Sequence, residues 1–484
     1  MVESYRPDPV FGRLGQEDGA PFYDVVEAAA FPDHNLRYRN QRWAENIGLG
    51  ELNEADWINY FGRFHPLPDN HQHPLAIRYH GHQFRNYNCD IGDGRGFLFA
   101  QLRDDENRLL DLGTKGSGTT PYSRFGDGRL TLKGGVREIL ATEMLEALGV
   151  YTSKTFSLIE TGEALHRHDE PSPTRSSVMV RLSHSHVRFG AFQRLAYEKN
   201  DQAIGDLVDY CVAHFYPALE GKAGAQKAIA LYANVVARTA RLAAQWMAAG
   251  FVHGVLNTDN MNVTGESFDY GPWRFTPTAD PQFTAAYFDE SGLYAFGRQP
   301  EACAWNLAQL GGALSLIADT EALNAALQSF AGHYEQAMAD AFFKRLGLMR
   351  SGDSDFEFVG DLLQWMAETG PIYEQVFYDW FCGCDSKTRA DASPVAELYA
   401  QDKFSELRGR LVALTPDRPE RLACSYFADG APCTMLIDEV EAIWAAIADK
   451  DDWSPFEDKL KTIGDMREAY GFSASTYRPL PITE

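Results

Sequence analysis

The stretch from His253 to Pro272, HGVLNTDNMNVTGESFDYGP, sets Asp259 beside Asn260 and places Asp269, Tyr270 and Gly271 ten residues after Asp259. Amide and carboxylate oxygens suit a hard divalent cation such as Mg2+ or Mn2+, which keeps coordination positions for phosphate oxygens. Asn260 and Asp269 are the candidate ligands, and Asp259 is the neighbouring carboxylate able to accept a proton. An Asx-rich turn that satisfies its own backbone accounts for Asn257, Thr258 and Asp259, but not for the Asp-Tyr-Gly downstream.

Upstream lie the groups that phosphate chemistry also needs. Gly92-x-Gly94-x-Gly96 reads as a loop that lets backbone amides approach phosphates, or as a plain turn before a strand. A strand, a turn and a second strand ending in Lys115 follow, and then a helix presenting Glu138. Singly, Lys115 reads as a surface lysine and Glu138 as a charge favoured by the helix dipole. In series they repeat the order of a protein-kinase N-lobe, where a strand lysine pairs with phosphates and a helix glutamate. Arg181 and Arg188, seven residues apart in MVRLSHSHVRFG, are close enough to reach one anion, and the guanidinium fork suits phosphate oxygens.

Aligned on the kinase pattern His-Arg-Asp-Leu-x-x-x-Asn, the chain offers His253, Gly254, Val255, Leu256 and then Asn260, with Asp269-Tyr270-Gly271 in place of Asp-Phe-Gly. Val255 stands where the catalytic aspartate belongs. An apolar side chain cannot take a proton from a hydroxyl, so transfer of the γ-phosphate loses its base, and Asp259 is the one nearby carboxylate that replaces it. The paired histidines His80, His82, His184 and His186 have no third and fourth ligand in view, which argues against zinc.

The elements that position these residues fall into two textures. Phe97 to Leu102, Leu109 to Thr114, Phe156 to Ile159 and Val178 to Leu182 read as strands, and Val136 to Leu148 as a helix with Glu138 in its first turn. After about Asn200 long helices take over, among them AQKAIALYANVVARTARLAAQWMAAG, with Gly250 placed to end it. Short extended pieces, Phe251 to Leu256 and Asn262 to Thr264, are expected to flank the Asp259 loop. The spacing predicts an α+β, protein-kinase-like bilobal fold. Residues 1–74 form a wrapping extension, 75–200 a β-rich N-lobe, and 201–484 a mainly helical C-lobe with a C-terminal extension.

A chain of 484 residues with 45% hydrophobic side chains has ample apolar material for large cores. Its 44 basic and 68 acidic residues give a net charge of −24, which repels polyphosphate backbones and argues against nucleic acid as a partner. No window approaches the length of a membrane helix, the first residues lack a signal-peptide pattern, and seven scattered cysteines suggest reduced thiols, so a cytoplasmic protein is expected.

The segments YHGHQFRNYNCDIGDGRG, GTKGSGTTPYSRFGDGR, VREILATEMLEALGV, RLSHSHVRFG, HGVLNTDNMNVTGESFDYGP and GRQPEACAWNLAQL, in that order from Tyr79 to Leu310, resemble the selenoprotein O (YdiU) family of kinase-like protein adenylyltransferases. The resemblance implies ATP bound in a reversed orientation. AMP then passes to a Ser, Thr or Tyr hydroxyl of a protein and pyrophosphate leaves, with UMP transfer from UTP in some members. It implies nucleotide contacts from Gly92, Gly94, Arg95, Lys115, Asp127, Gly128, Arg181, Arg188 and Asp269. Asp259 is the implied proton acceptor, Asn260 and Asp269 the ligands of Mg2+ or Mn2+, and Glu138 the partner of Lys115. An orthodox protein kinase and an inactive nucleotide-binding scaffold are the rival readings. The chain departs from the family at Arg85, where glycine is usual, and in PERLACSYFADGAPC, which lacks the family's C-terminal motifs. No Cys follows Cys433, so no C-terminal thiol offers redox control.

Overall fold

Two runs of apolar residues, LFAQLR and LLDLGTK, lie at the centre of an antiparallel sheet whose strands are buried almost without interruption. Such continuous burial means that both faces of the sheet are covered. The computed structural model describes residues 4–15, 20–168, 170–352, 354–428 and 430–472. The chain is a mixed α+β protein, with the sheet in its first part and helices through the rest.

In chain order the strands and helices of the first part are β1 (Tyr23–Val25), β2 (Asn35–Arg39), α1 (Gln41–Asn46), α2 (Glu54–Phe61), β3 (Leu75–Ile77), β4 (Gly81–Gln83), β5 (Asn86–Asn88), β6 (Leu98–Arg103), β7 (Leu109–Lys115), β8 (Leu130–Thr131), α3 (Leu132–Ala147), β9 (Lys154–Leu165) and β10 (Thr174–Ser183). The eight-stranded sheet runs β1-β3-β6-β7-β10-β9-β2, with β8 paired to β10. The N-terminal residues therefore do more than wrap: β1 and β2 supply its two edges.

One face packs on α1 and α2 through Trp57, Phe61, Phe99 and Phe156. The other packs on α3, where a side chain at Gly135 would strike Leu158, so a glycine lets the helix lie close to the sheet. α3 begins earlier than its apolar periodicity suggests. The Thr131 side chain accepts from Gly134 N and caps it, which puts Glu138 in the second turn rather than the first.

The second part opens with α4 (Phe189–Tyr197), α5 (Asp201–Phe215), capped by the Asn200 side chain, and α6 (Gly224–Ala248). Gly250, at φ 63°, ends α6 as expected. β11 (Phe251–Val252) and β12 (Arg274–Phe275) then pair across the segment that carries Asp259 and Asp269. The extended pieces expected around this loop are shorter than predicted. Only Phe251 and Val252 form a strand, and Asn262 makes a single bridge to Arg188. α7 (Gln299–Leu314), α8 (Thr320–Gln328) and α9 (Phe330–Leu346) follow, and further helices continue to Tyr470. No helix among the described residues is long and apolar enough to cross a membrane.

Candidate functional site

Strand register sets the first half of the site. Arg181 on β10 lies opposite Gly113 on β7, and Met179 opposite Lys115. Residues two apart on a strand share a face, so Lys115 and Arg181 project to the same side, toward α3. There Glu138, 1% exposed, meets both: its Oε1 accepts from Lys115 Nζ, and its Oε2 from Arg181 Nη2 at 3.1 Å.

The second half comes from the loop between β11 and β12. Asp269 Oδ1 lies 3.0 Å from Lys115 Nζ and 3.4 Å from Arg181 Nη2, while its Oδ2 lies 3.4 Å from Arg188 Nη1 and 3.3 Å from Asn260 Nδ2. Although burial opposes ionisation, Lys115, Arg181 and Arg188 hold the Asp269 carboxyl well below the usual carboxylate range. Its backbone sits at φ 64°, a left-handed conformation uncommon for a residue with a side chain. Such local strain persists only where surrounding contacts enforce it.

Asp259 is treated differently. Burial pushes its carboxyl up to about 6 against the opposing pull of Arg188, and Oδ1 has no hydrogen-bond partner among the described residues. A desolvated carboxylate with a spare lone pair is suited to take a proton near neutral pH. Val255, at the kinase-base position, does not line the cavity that Asp259 faces.

That cavity has a volume of about 680 Å³, large enough for a nucleotide. Lys115, Arg181, Arg188, Asp259 and Asp269 line it, together with Gly92, Gly94, Arg95, Asp127 and Gly128. Glu138 and Asn260 are not on its wall and reach it through Lys115 and Asp269. The glycines owe their place to close packing: side chains at Gly92 and Gly94 would collide with Tyr122, and one at Gly96 with the Thr114 carbonyl. The Asp127 carboxylate is gripped bidentately by Arg167 at 2.8 and 3.1 Å, a contact that joins two loops at the rim.

The donor set can be weighed against a divalent cation. Asn260 and Asp269 are adjacent, and the unpartnered Asp259 Oδ1 is a further hard oxygen in the same cavity. Among the described residues no three His, Cys, Asp or Glu side chains could hold a metal by themselves. Mg2+ is commonly held by one or two carboxylates together with substrate phosphates, so these residues fit a cation bound jointly with a nucleotide.

Several supporting residues escaped the sequence reading. Arg188 is held between the rings of Tyr79 and Phe268, at 4.6 and 4.8 Å, and Asp93 lies 3.4 Å from its Nη2. Asp93 sits inside the glycine loop, where the glycines drew attention away from it. The β4–β5 hairpin braces the Asp259 loop: His82 N donates to Thr258 Oγ1 at 2.8 Å and Phe84 N to Asn257 Oδ1 at 2.9 Å. Arg85, at the turn of that hairpin, has φ 63°, a conformation that glycine adopts more readily; its side chain pairs with Glu301 and stacks on Trp305.

Gln299 on α7 acts as a sheet partner for the start of the loop, accepting from His253 N at 3.0 Å and donating to the Phe251 carbonyl at 2.8 Å. Asn306 adds a bond to the Leu256 carbonyl. The paired histidines are engaged separately, His82 with Gln193, His184 with Tyr151 and His186 beside Asp111.

A family model described as protein adenylyltransferase SelO matches residues 11–464, well beyond the segment from Tyr79 to Leu310 in which the resemblance is legible by motif. A protein nucleotidyltransferase YdiU from Synechocystis is 44% identical over 473 residues, covering 94% of this chain and 97% of the relative. The protein of the same name from Gloeobacter violaceus is 44% identical over 478 residues, covering 96% of each. The one from Myxococcus xanthus is 35% identical over 414 residues, covering 84% and 82%.

Proposed function

The chain belongs to the SelO family of nucleotidyltransferases, and from that premise we propose that it transfers AMP from ATP to a Ser, Thr or Tyr hydroxyl of a protein, releasing pyrophosphate. UTP is the alternative donor. The sheet part and the helical part act as the two lobes of a kinase-like enzyme, with the nucleotide between them. The seven free thiols support a reducing compartment, which we take to be the cytoplasm.

One observation carries this reading. Of the carboxylates that line the cavity, Asp259 is the one with a buried, unpartnered oxygen among the described residues, while the position of a kinase base is held by Val255. In the reaction the acceptor hydroxyl oxygen attacks the α-phosphorus and Asp259 accepts the hydroxyl proton. The new P–O bond forms as the bond to the bridging oxygen breaks, and the electron pair leaves with pyrophosphate. Lys115, Arg181 and Arg188 bind the phosphates and offset the charge that builds on the leaving group. Glu138 orients Lys115 and Arg181, and Gly92, Gly94, Arg95, Asp127 and Gly128 enclose the rest of the nucleotide.

Asn260 and Asp269 would hold Mg2+ or Mn2+. Such a cation neutralises phosphate charge and polarises the phosphoryl oxygens. Asp269 stays ionised without it, because three cationic side chains surround it. Mass spectrometry of an acceptor protein after incubation with the enzyme, ATP and Mg2+ tests the proposal: the acceptor gains one AMP residue, whereas a gain of one phosphate refutes it.

A further inference from the structure

α6 borders a second cavity, of about 820 Å³, closed by the end of α3 and by α9. Leu148, Phe343 and Phe472 form apolar parts of its wall, and Arg238 and Lys344 bring positive charge to it. Two acids in the wall, Asp340 and Asp417, are paired with Arg350, which also lines the cavity, and with Arg418, and both lie near Lys344.

Arg238 is only 6% exposed and stacks on the Tyr216 ring at 4.0 Å. Its Nη1 has no hydrogen-bond partner among the described residues. A buried charged donor left unpaired is costly, and its charge favours an anion in the adjoining cavity. Burial, with Arg241 and Arg418 nearby, pushes the Lys344 ammonium down to about 8 although Asp340 and Asp417 pull it up, and a bound anion favours its charged form further. In a chain of net charge −24 this pocket of positive charge stands against the overall field.

We propose that this cavity binds a small anionic amphiphile, its phosphate or carboxylate headgroup on Arg238 and Lys344 and its aliphatic body against Leu148, Phe343 and Phe472. The inference does not depend on the reaction assigned to the nucleotide cavity. The ligand would lie behind that site, since Gly265, between Asn260 and Asp269, packs directly on the α6 backbone at Arg238.

Calorimetric titration of the full chain with n-octyl phosphate, below its micellar concentration and with ATP and Mg2+ saturating, tests this. One molecule binds per chain. Inorganic phosphate and octanol each bind far more weakly, and Arg238→Gln and Lys344→Gln each weaken octyl phosphate about tenfold, as loss of one charge-assisted hydrogen bond implies. Should Arg238→Gln fail to fold, Lys344→Gln on the less buried residue carries the test. Absence of saturable binding overturns the proposal, including the case in which the chain's own residues beyond Phe472 fill the cavity. So does equal binding by Lys344→Gln, or loss of binding in Lys115→Ala, which would assign the signal to the nucleotide cavity.

Discussion

Lys115 Nζ lies 3.0 Å from Asp269 Oδ1, so the lysine that ends β7 bridges Glu138 of α3 and the carboxylate of the β11–β12 loop. This ion pair joins the sheet to the helical part at the cavity. Asp269 therefore has two tasks, as the anion that keeps Lys115, Arg181 and Arg188 together and as the proposed cation ligand.

Replacing Asp269 by Asn keeps the size of the side chain and removes its charge. Calorimetry with ATP in Mg2+ is expected to show binding weakened by a hundredfold or more, about 3 kcal/mol. Unchanged affinity in the presence of Mg2+ contradicts the assignment.

Asp259→Asn leaves the proposed phosphate-binding cations in place and removes the proposed proton acceptor. ATP affinity should change by less than about threefold, while nucleotide transfer falls by roughly 10² to 10⁴, the usual worth of a general base. For the wild-type protein, kcat/KM reports the free enzyme. Because burial holds the Asp259 carboxyl near 6, kcat/KM should fall as pH drops below about 6 and level off above it. A profile flat from pH 5 to 8 counts against Asp259 as the base.

Much of this site was legible in the sequence, because its chemistry is carried by residue types whose spacing is set by local structure. Lys115 ends a strand, Glu138 sits on a helix, and Asp259 and Asp269 share one loop, so each could be found from its own neighbourhood. The supports were not legible, since they join segments remote in sequence. Nothing near Asp93 marks it as a partner of Arg188, 95 residues on, and nothing in NYN indicates that β5 completes a hairpin braced on Thr258. The edge strands β1 and β2 were missed for a related reason. They are short and only partly buried, so they carry little of the apolar alternation by which a strand is recognised.

Glu266 makes stability depend on pH. Burial raises its carboxyl from 4.5 to about 7, so between those values the folded protein holds a proton that the unfolded chain has released. The stability this contributes is complete below about pH 4.5 and is lost as pH rises through about 7, by roughly 2 to 4 kcal/mol. Urea titrations at pH 5 and pH 8 should show a decline that Glu266→Gln makes shallower, since the amide keeps an acceptor for His184 N and the buried Asp259 carboxyl accounts for part of the remainder. A variant that declines as steeply as the wild type contradicts this.

Arg85 tests the hairpin. Glycine there relieves the left-handed backbone but loses the contacts with Glu301 and Trp305, so Arg85→Gly should lie within about 1 kcal/mol of the wild type. Arg85→Val loses the same contacts and adds a β-branched side chain at positive φ, so it should destabilise by more than 1 kcal/mol. Equal melting temperatures for the two variants would show that the backbone at Arg85 is not constrained.

Isotope position measures directly which phosphorus is attacked. The full chain is incubated with an acceptor protein, Mg2+ and ATP labelled either at the α or at the γ phosphorus. Label is expected on the protein from α-labelled ATP and none from γ-labelled ATP; retention of label from the γ position alone contradicts AMP transfer.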